Sequence, residues 1–111
     1  MVRVYGVVAI AVLLLTGCGD PPPERMKSGD RLYAYYCQDC HLRSGLGPML
    51  ERIPFTDNSM KYHEIVLMIK HGYSQGHSQM PTYQQLSDEQ ADALASFLME
   101  QRLQQAQRQG H

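Results

Sequence analysis

A five-residue stretch, Cys37-Gln38-Asp39-Cys40-His41, constrains this chain more than any other feature. Only three cysteines and five histidines occur in 111 residues, so the string C-x-x-C-H is rarely expected by chance. Two thiols three positions apart lie on one helical turn, where each can add to one vinyl group of the same porphyrin. His41 then lies under the ring with its imidazole facing the iron. The spacing therefore predicts one covalently attached haem c, held by Cys37 and Cys40, with His41 as an iron ligand.

Two other kinds of site use the same side chains. A closed zinc site needs four ligands, usually as two separated pairs, and the sequence has no second C-x-x-C. A thioredoxin-like redox pair needs a βαβ context, and the chain has no strand-like runs. Both alternatives remain open, and the pattern favours haem over either of them.

The size and charge of the chain limit what it can be. A chain of 111 residues forms at most one domain, and with few aromatic residues and no Trp its core is marginal unless something else stabilises it. A buried haem with two covalent bonds to the chain would supply that stability. The formal charge of −1 gives no indication of nucleic-acid binding.

The N-terminal segment has the pattern of an export signal. Arg3 precedes residues 4–15, twelve largely apolar residues that are too few to span a bilayer comfortably and typical of a signal peptide. Residues 15–18, Leu-Thr-Gly-Cys, resemble the bacterial lipobox, in which the cysteine is acylated and becomes the mature N-terminus. We therefore expect residues 1–17 to be a lipoprotein signal peptide and Cys18 to carry the lipid. The alternative is an ordinary signal peptide, cut near Gly17.

The rest of the chain divides by composition. Three consecutive prolines, Pro21 to Pro23, predict that residues 18–27 form an extended, unpacked membrane tether. Residues 28–104 would be the folded domain and residues 105–111 a polar tail. These signals place the domain in a bacterial cell envelope, on the periplasmic or extracytoplasmic side.

Three segments have the apolar spacing of helices. The first covers residues 28–42, the second runs from Tyr62 to Gly72, and the third begins at a capping box formed by Ser87 and Gln90. Residues 73–79 are polar and contain glycine, which predicts a loop, and the Gln-rich end from residue 101 is expected to fray. The sequence therefore predicts an all-α fold.

The first of these helices, with the residues around it, resembles class I cytochrome c in its small bacterial form. That family has a small residue and then an aromatic four positions before the first cysteine, here Gly29 and Tyr33. The resemblance implies that the first and last helices pack together, with Gly29 against Phe97, around a haem in the core. It departs from the family at Leu42, where the family usually has glycine.

The family's loops supply further expected site residues. The segment Gly45-Leu46-Gly47-Pro48 is similar to its G-x-G-P loop, which implies that the Pro48 carbonyl accepts a hydrogen bond from the His41 imidazole. The family's second iron ligand is a methionine in a Met-Pro context followed by an aromatic. Met80, Pro81 and Tyr83 match that order, so Met80 is the expected sixth ligand and Tyr83 an expected residue of the haem pocket. The rival ligands are His77 and His71.

These features together imply a function. The resemblance implies a membrane-anchored one-electron carrier that exchanges electrons with a redox protein donor and acceptor. The carboxylates are scattered, and no proton-handling pair remains once the haem has its ligands, which argues against an enzyme. Two alternatives are a haem-bearing subunit of a larger dehydrogenase or oxidase complex and a haem sensor or peroxidase with an open sixth position.

Overall fold

A computed structural model of the protein describes residues 17, 19, 21–75 and 78–110. Over these residues the chain forms a short 3₁₀ helix, four α-helices and one β-hairpin. In chain order they are the 3₁₀ helix Pro23–Arg25, α1 Gly29–Tyr36, α2 Gln38–Arg43, α3 Tyr62–His71, β1 Tyr73–Gln75, β2 Ser78–Met80 and α4 Asp88–Gln109. Residues 1–16 of the predicted signal segment, Cys18, His77 and His111 lie outside the described residues. No described helix is both long and apolar enough to cross a membrane.

The first and last long helices, α1 and α4, pack directly against each other. Gly29 makes this possible, because a Cβ built there would overlap the Ala93 carbonyl oxygen and the Phe97 Cβ. The core that surrounds this contact includes Leu32, Tyr33, Ile69, Leu94 and Leu98. The predicted all-α fold class is confirmed, and so is the predicted pairing of Gly29 with Phe97.

The third helix brings the hairpin to the same core. α3 packs against α4, and the Tyr62 hydroxyl donates to the Asp92 carboxylate at 2.8 Å. α3 ends at Gly72, whose positive φ of 81° is the backbone conformation that glycine adopts readily. A Cβ at Gly72 would lie 2.9 Å from the Met80 carbonyl oxygen, so the glycine also lets the second strand approach.

The loop predicted for residues 73–79 is wrong in part. β1 and β2 pair antiparallel, with Tyr73 opposite Met80. The strands are three residues long and polar, and therefore lack the alternating apolar pattern from which a strand is predicted. The strands instead form because the chain turns at Gly72 and the two segments then pair through their backbones. The hairpin is the only pair of strands in the described part of the chain, which is otherwise helices and loops.

The predicted tether packs earlier than expected. Met26 is buried, at 7% exposure, and the Gln90 side chain donates to the carbonyl oxygens of Pro23, at 3.0 Å, and Met26, at 2.9 Å. Gln90 also forms the predicted capping box with Ser87, in which each side chain accepts from the other residue's backbone N–H at 3.1 Å. Packing therefore begins near Pro23 instead of at residue 28.

The predicted fraying of the chain end is also wrong. α4 continues to Gln109, past the boundary predicted at residue 105. Arg102 and Gln105 are buried, at 8% and 6% exposure, and bond to the loop that follows α2. Arg102 and Gln105, which the sequence predicted to lie in a fraying end, therefore belong to the packed helix.

Candidate haem site

The predicted haem-binding stretch lies where α1 gives way to α2. The sequence predicted one helix over residues 28–42, but the helix breaks at Cys37, whose φ and ψ are −120° and −41°. The Cys37 N–H still bonds to the Tyr33 carbonyl at 2.9 Å, and the His41 N–H bonds to the Cys37 carbonyl at 3.2 Å. The helix is therefore distorted at Cys37, but these backbone hydrogen bonds continue across the distortion. Cys37, Cys40 and His41 still follow one helical path.

The two cysteines are free thiols in unlike surroundings. Cys37 is 5% exposed and belongs to the core, whereas Cys40 is exposed. Burial, and then the neighbouring Cys40, raise the pKa of the Cys37 thiol to about 11. Cys37 is therefore protonated at neutral pH in this environment, and its side chain is an apolar part of the core.

His41 is half-buried beside the core aromatic residues. Its ring centroid lies 6.1 Å from that of Tyr33, which in turn lies 6.2 Å from that of Phe97 on α4. Burial lowers the pKa of His41, which favours the neutral imidazole. A neutral imidazole is the form that binds a metal.

Among the described residues, the buried Nδ1 of His41 has no hydrogen-bond partner. The hydrogen bond predicted between this nitrogen and the Pro48 carbonyl is therefore not formed in the structure, where Pro48 is exposed. The Tyr33 hydroxyl, on the neighbouring ring, is likewise buried and unpaired. The role assigned to Pro48 stays a prediction.

The segment after His41 is the turn-rich loop that the glycines predicted. Gly45 and Gly47 have φ values of 79° and 84°, and Leu50 adopts a positive φ of 63°. The Leu46 N–H bonds back to the His41 carbonyl at 3.1 Å, and the Leu46 carbonyl accepts from the Arg52 N–H at 3.4 Å. We call residues 46–52 the histidine-side loop.

The sequence analysis missed the two side chains that hold this loop. Arg102 Nη1 donates to the Leu50 carbonyl at 2.8 Å, and Gln105 Nε2 donates to the Met49 carbonyl at 3.1 Å. The spacing could have predicted their burial, because positions 94, 98, 102 and 105 lie on one face of α4. Polar residue types at the last two positions concealed it.

Tyr83 contacts Tyr36, the residue directly before Cys37, and its role in a haem pocket stays a prediction. Its hydroxyl donates to the Tyr36 carbonyl at 3.1 Å, and the two rings meet edge to face with centroids 5.8 Å apart. Burial raises the pKa of Tyr83, and the charges of Cys37 and Cys40 add to that effect. Both cysteines are therefore within electrostatic reach of the Tyr83 phenol.

Met80, the predicted sixth ligand, lies at the end of the hairpin. It is partly buried at the end of β2, and its backbone pairs with Tyr73. Of the two rival ligands, His71 is exposed at the end of α3, and His77 lies outside the described residues. The choice of Met80 as sixth ligand stays a prediction.

The thiol and imidazole side chains of this site fit a haem c. Two free thiols lie three residues apart, and the following imidazole is neutral with a buried, unpaired nitrogen. Within the described residues, no group of three or more His, Cys, Asp and Glu side chains could hold a metal ion, so the zinc interpretation gains no support.

A mostly helical fold with packed first and last helices, and C-x-x-C-H at the end of the first, is that of a class I c-type cytochrome. Comparison with known families agrees: residues 24–98 match the family model described as cytochrome c oxidase, cbb3-type, subunit III, and the chain belongs to that family. Its cofactor is therefore a covalently bound haem c, and its domain is one of haem-based electron transfer. Neither a curated protein nor a solved structure matched the chain.

Proposed function

We propose that the protein is a lipid-anchored electron carrier whose single haem is bonded to Cys37 and Cys40 and ligated by His41 and Met80. The haem supplies one chemical step, the reversible change of its iron between the ferric and ferrous states. The lipid would be carried by Cys18, which would hold the domain on the extracytoplasmic side of a bacterial membrane.

One observation supports the proposal above the others: Cys37, Cys40 and His41 follow one helical path at the edge of the core. Cys37 is buried, Cys40 is exposed, and His41 lies against Tyr33 with an unpaired buried nitrogen. A flat group attached at both cysteines would cover the end of the α1–α2 segment. The chain positions of these residues, on one helical path, agree with attachment to one porphyrin.

The residues around the site would keep His41 in place and exclude water. Tyr33 and Phe97 form an aromatic wall behind the His41 ring, and Leu32 and Leu94 extend it. A dry, apolar surrounding disfavours the charged ferric site and raises the reduction potential. Because the site moves no proton in this proposal, little has to rearrange when an electron arrives or leaves.

Three features support Met80 as the second ligand. Pro81 restricts the Met80 backbone to extended conformations, and the turn at Gly72 returns the chain to the same region. Tyr83, three residues after Met80, bonds to the carbonyl of Tyr36, the residue directly before Cys37. A methionine ligand would raise the potential further, since a thioether favours the ferrous state.

The variant Met80→Ala tests the proposal. The oxidised wild-type protein should show the weak long-wavelength band of a bond between methionine sulfur and ferric iron, and the reduced protein should not bind carbon monoxide at neutral pH. Met80→Ala should abolish the band, open the iron to carbon monoxide and lower the potential. Met99→Ala, which removes a partly buried methionine of the core, is the matched control and should leave the band unchanged.

Two other results would change the assignment. If Met80→Ala leaves the spectrum and the potential unchanged, another residue is the ligand, and His77 is the next to replace. If the wild-type protein binds carbon monoxide readily, the site is open, and the function is that of a haem sensor or peroxidase.

A second candidate function is electron transfer within a larger complex. The matching family is described as a subunit of a cbb3-type oxidase, and this description supports the second candidate. Gentle solubilisation of membranes followed by size separation distinguishes the two. A free carrier migrates at the size of this chain, whereas a subunit migrates with its partners.

A further inference from the structure

Two buried polar side chains join the last helix to the histidine-side loop. Arg102 Nη1 donates to the Leu50 carbonyl and also reaches Gln105 Oε1, at 3.3 Å. Gln105 Nε2 donates to the Met49 carbonyl. The Arg102 guanidinium also lies 5.7 Å from the centroid of the Phe55 ring. Arg102 and Gln105 thus bond to two consecutive carbonyl groups of one loop.

Burying Arg102 and Gln105 costs more free energy than burying two apolar side chains at the same positions. Burying a guanidinium and an amide removes both from water, and the loss is recovered only where hydrogen bonds replace it. The same face of α4 carries Leu98 and Leu94 one and two turns before Arg102, so two more leucines would continue the stripe. Helix packing alone does not require hydrogen-bond donors here, whereas bonding to two carbonyl groups of the loop does.

The loop itself needs such fixing. Leu50 has a positive φ of 63°, a conformation that side chains other than glycine rarely adopt unless their surroundings hold it. The Glu51 carboxylate accepts from the Met49 N–H at 2.9 Å, and Leu46 and Arg52 close the loop at its ends. The contacts from α4 complete a loop that has one defined path.

That path begins at the predicted iron ligand. The Leu46 N–H bonds to the His41 carbonyl. The Tyr33 ring lies beside the His41 ring. Pro48 stands in the loop directly before the two carbonyl groups that α4 holds. The histidine-side loop is therefore bonded at its start to the backbone of His41.

We propose that Arg102 and Gln105 are positioning residues, which fix the histidine-side loop over His41 and thereby set the reduction potential of the haem. The inference rests on the proposed function, because it requires His41 to be the iron ligand. Loosening the loop would admit water next to the ligand, and removing Arg102 would also remove a buried cation. Both changes favour the ferric state, so both lower the potential.

The test uses the purified haem-loaded protein in five forms: wild type, Arg102→Met, Arg102→Lys, Gln105→Leu and the control Arg108→Met. Arg108 is an exposed arginine on the same helix. Each form is measured for reduction potential, for the hyperfine-shifted ring-proton signals of His41 in the oxidised state, and for thermal stability. Gln105→Leu changes no charge, so it separates the position of the loop from the charge of Arg102.

For Arg102→Met we expect the reduction equilibrium to shift threefold to tenfold toward the ferric state, which is roughly 30 to 60 mV for one electron. Gln105→Leu should shift it in the same direction and move the His41 signals. Arg102→Lys keeps the charge and can still donate to the Leu50 carbonyl, so it should recover more than half of the loss. Arg108→Met should match wild type in all three measurements.

The proposal fails if Arg102→Met and Gln105→Leu lower thermal stability while the potential and the His41 signals stay at wild-type values. In that case the two residues only join helix and loop. If Arg102→Met does not accumulate as haem-loaded protein, Gln105→Leu and Arg102→Lys decide by the same criteria. His41→Gly tests the proposed function separately, because an unchanged haem spectrum in that variant would remove His41 as the ligand whatever Arg102 does.

Discussion

At the scale of single residues, Cys37 and Cys40 combine chemistry with packing. Cys37 fills part of the core between α1 and α2, while Cys40 faces outward. Haem attached to both would extend the core beyond what this short chain can bury alone. The described core contains few large side chains, with Tyr33, Leu32, Ile69 and Leu94 the largest that are fully buried.

Replacing both cysteines by serine therefore has two expected results. Thioether bonds survive denaturation, so the wild-type protein should retain haem on a denaturing gel and the double variant should not. The double variant should also lose most of its helical circular dichroism, because a core this small is marginal without the haem. Haem stain that persists in the double variant, or that is lost from wild type in acid acetone, would contradict covalent attachment through these thiols.

The residue scale also shows what the sequence could and could not predict. The C-x-x-C-H spacing is a local chemical pattern, so it could be found without a structure. The hydrogen bonds from Arg102 and Gln105 to the loop join residues 52 and 56 positions apart. Nothing local distinguishes a solvated arginine from one that bonds to a distant carbonyl, and the residue type alone favours the surface.

At the scale of helices and strands, the contact between α1 and α4 depends on one missing side chain. A Cβ at Gly29 would overlap the backbone oxygen of Ala93, which cannot rotate away, and the Cβ of Phe97. The two helices must therefore separate if Gly29 is enlarged. The distance between them also sets the position of Tyr33, which packs against Phe97 and His41.

Gly29→Ala should destabilise the haem-loaded protein by about 1 to 3 kcal/mol, the usual cost of overpacking a close contact. Denaturant unfolding of the haem-loaded protein measures this change. Gly110→Ala is the matched control, because Gly110 has a helical φ of −78° and a Cβ there would meet its nearest neighbour at 3.5 Å. That control should change stability by less than about 0.5 kcal/mol. Equal effects of the two substitutions would show that the α1–α4 contact is looser than the structure has it.

Element boundaries followed the sequence where a local rule applied to them. Ser87 and Gln90 begin α4 as a capping box, and Gly72 ends α3, because side-chain and backbone groups within a few residues satisfy the helix ends. The break at Cys37 and the β-hairpin were not predicted. Both arise where the chain meets other parts of itself, and the hydrogen bond from Tyr83 N–H to the Ile69 carbonyl is one such contact.

At the scale of the whole molecule, the short N-terminal segment links the proposed anchor to the domain. Gln90 holds Pro23 and Met26 against the start of α4. Only four residues therefore separate Cys18 from the packed part of the chain, and fully extended they would reach less than about 20 Å. If Cys18 carries the lipid, the domain lies close to the membrane surface instead of on a long tether.

Cys18→Ser should release the protein from membranes, since the acyl chains supply the affinity in this proposal. Fractionation of cells followed by haem staining measures the distribution, and the spectrum of the released protein should equal that of wild type. If the variant still sediments with membranes, an uncleaved apolar segment or a partner protein holds it. Washing the membranes with salt separates those two causes.

The last helix, α4, also limits the order in which the protein can fold. α4 supplies Gln90 to the N-terminal segment, Phe97 to α1, and Arg102 and Gln105 to the histidine-side loop. The contacts of Arg102 and Gln105 cannot form until those two residues have been synthesised, because the chain is made from its N-terminus. The cysteines appear some sixty residues earlier. We therefore expect a period during synthesis in which both thiols are present and the core has not yet closed over Cys37.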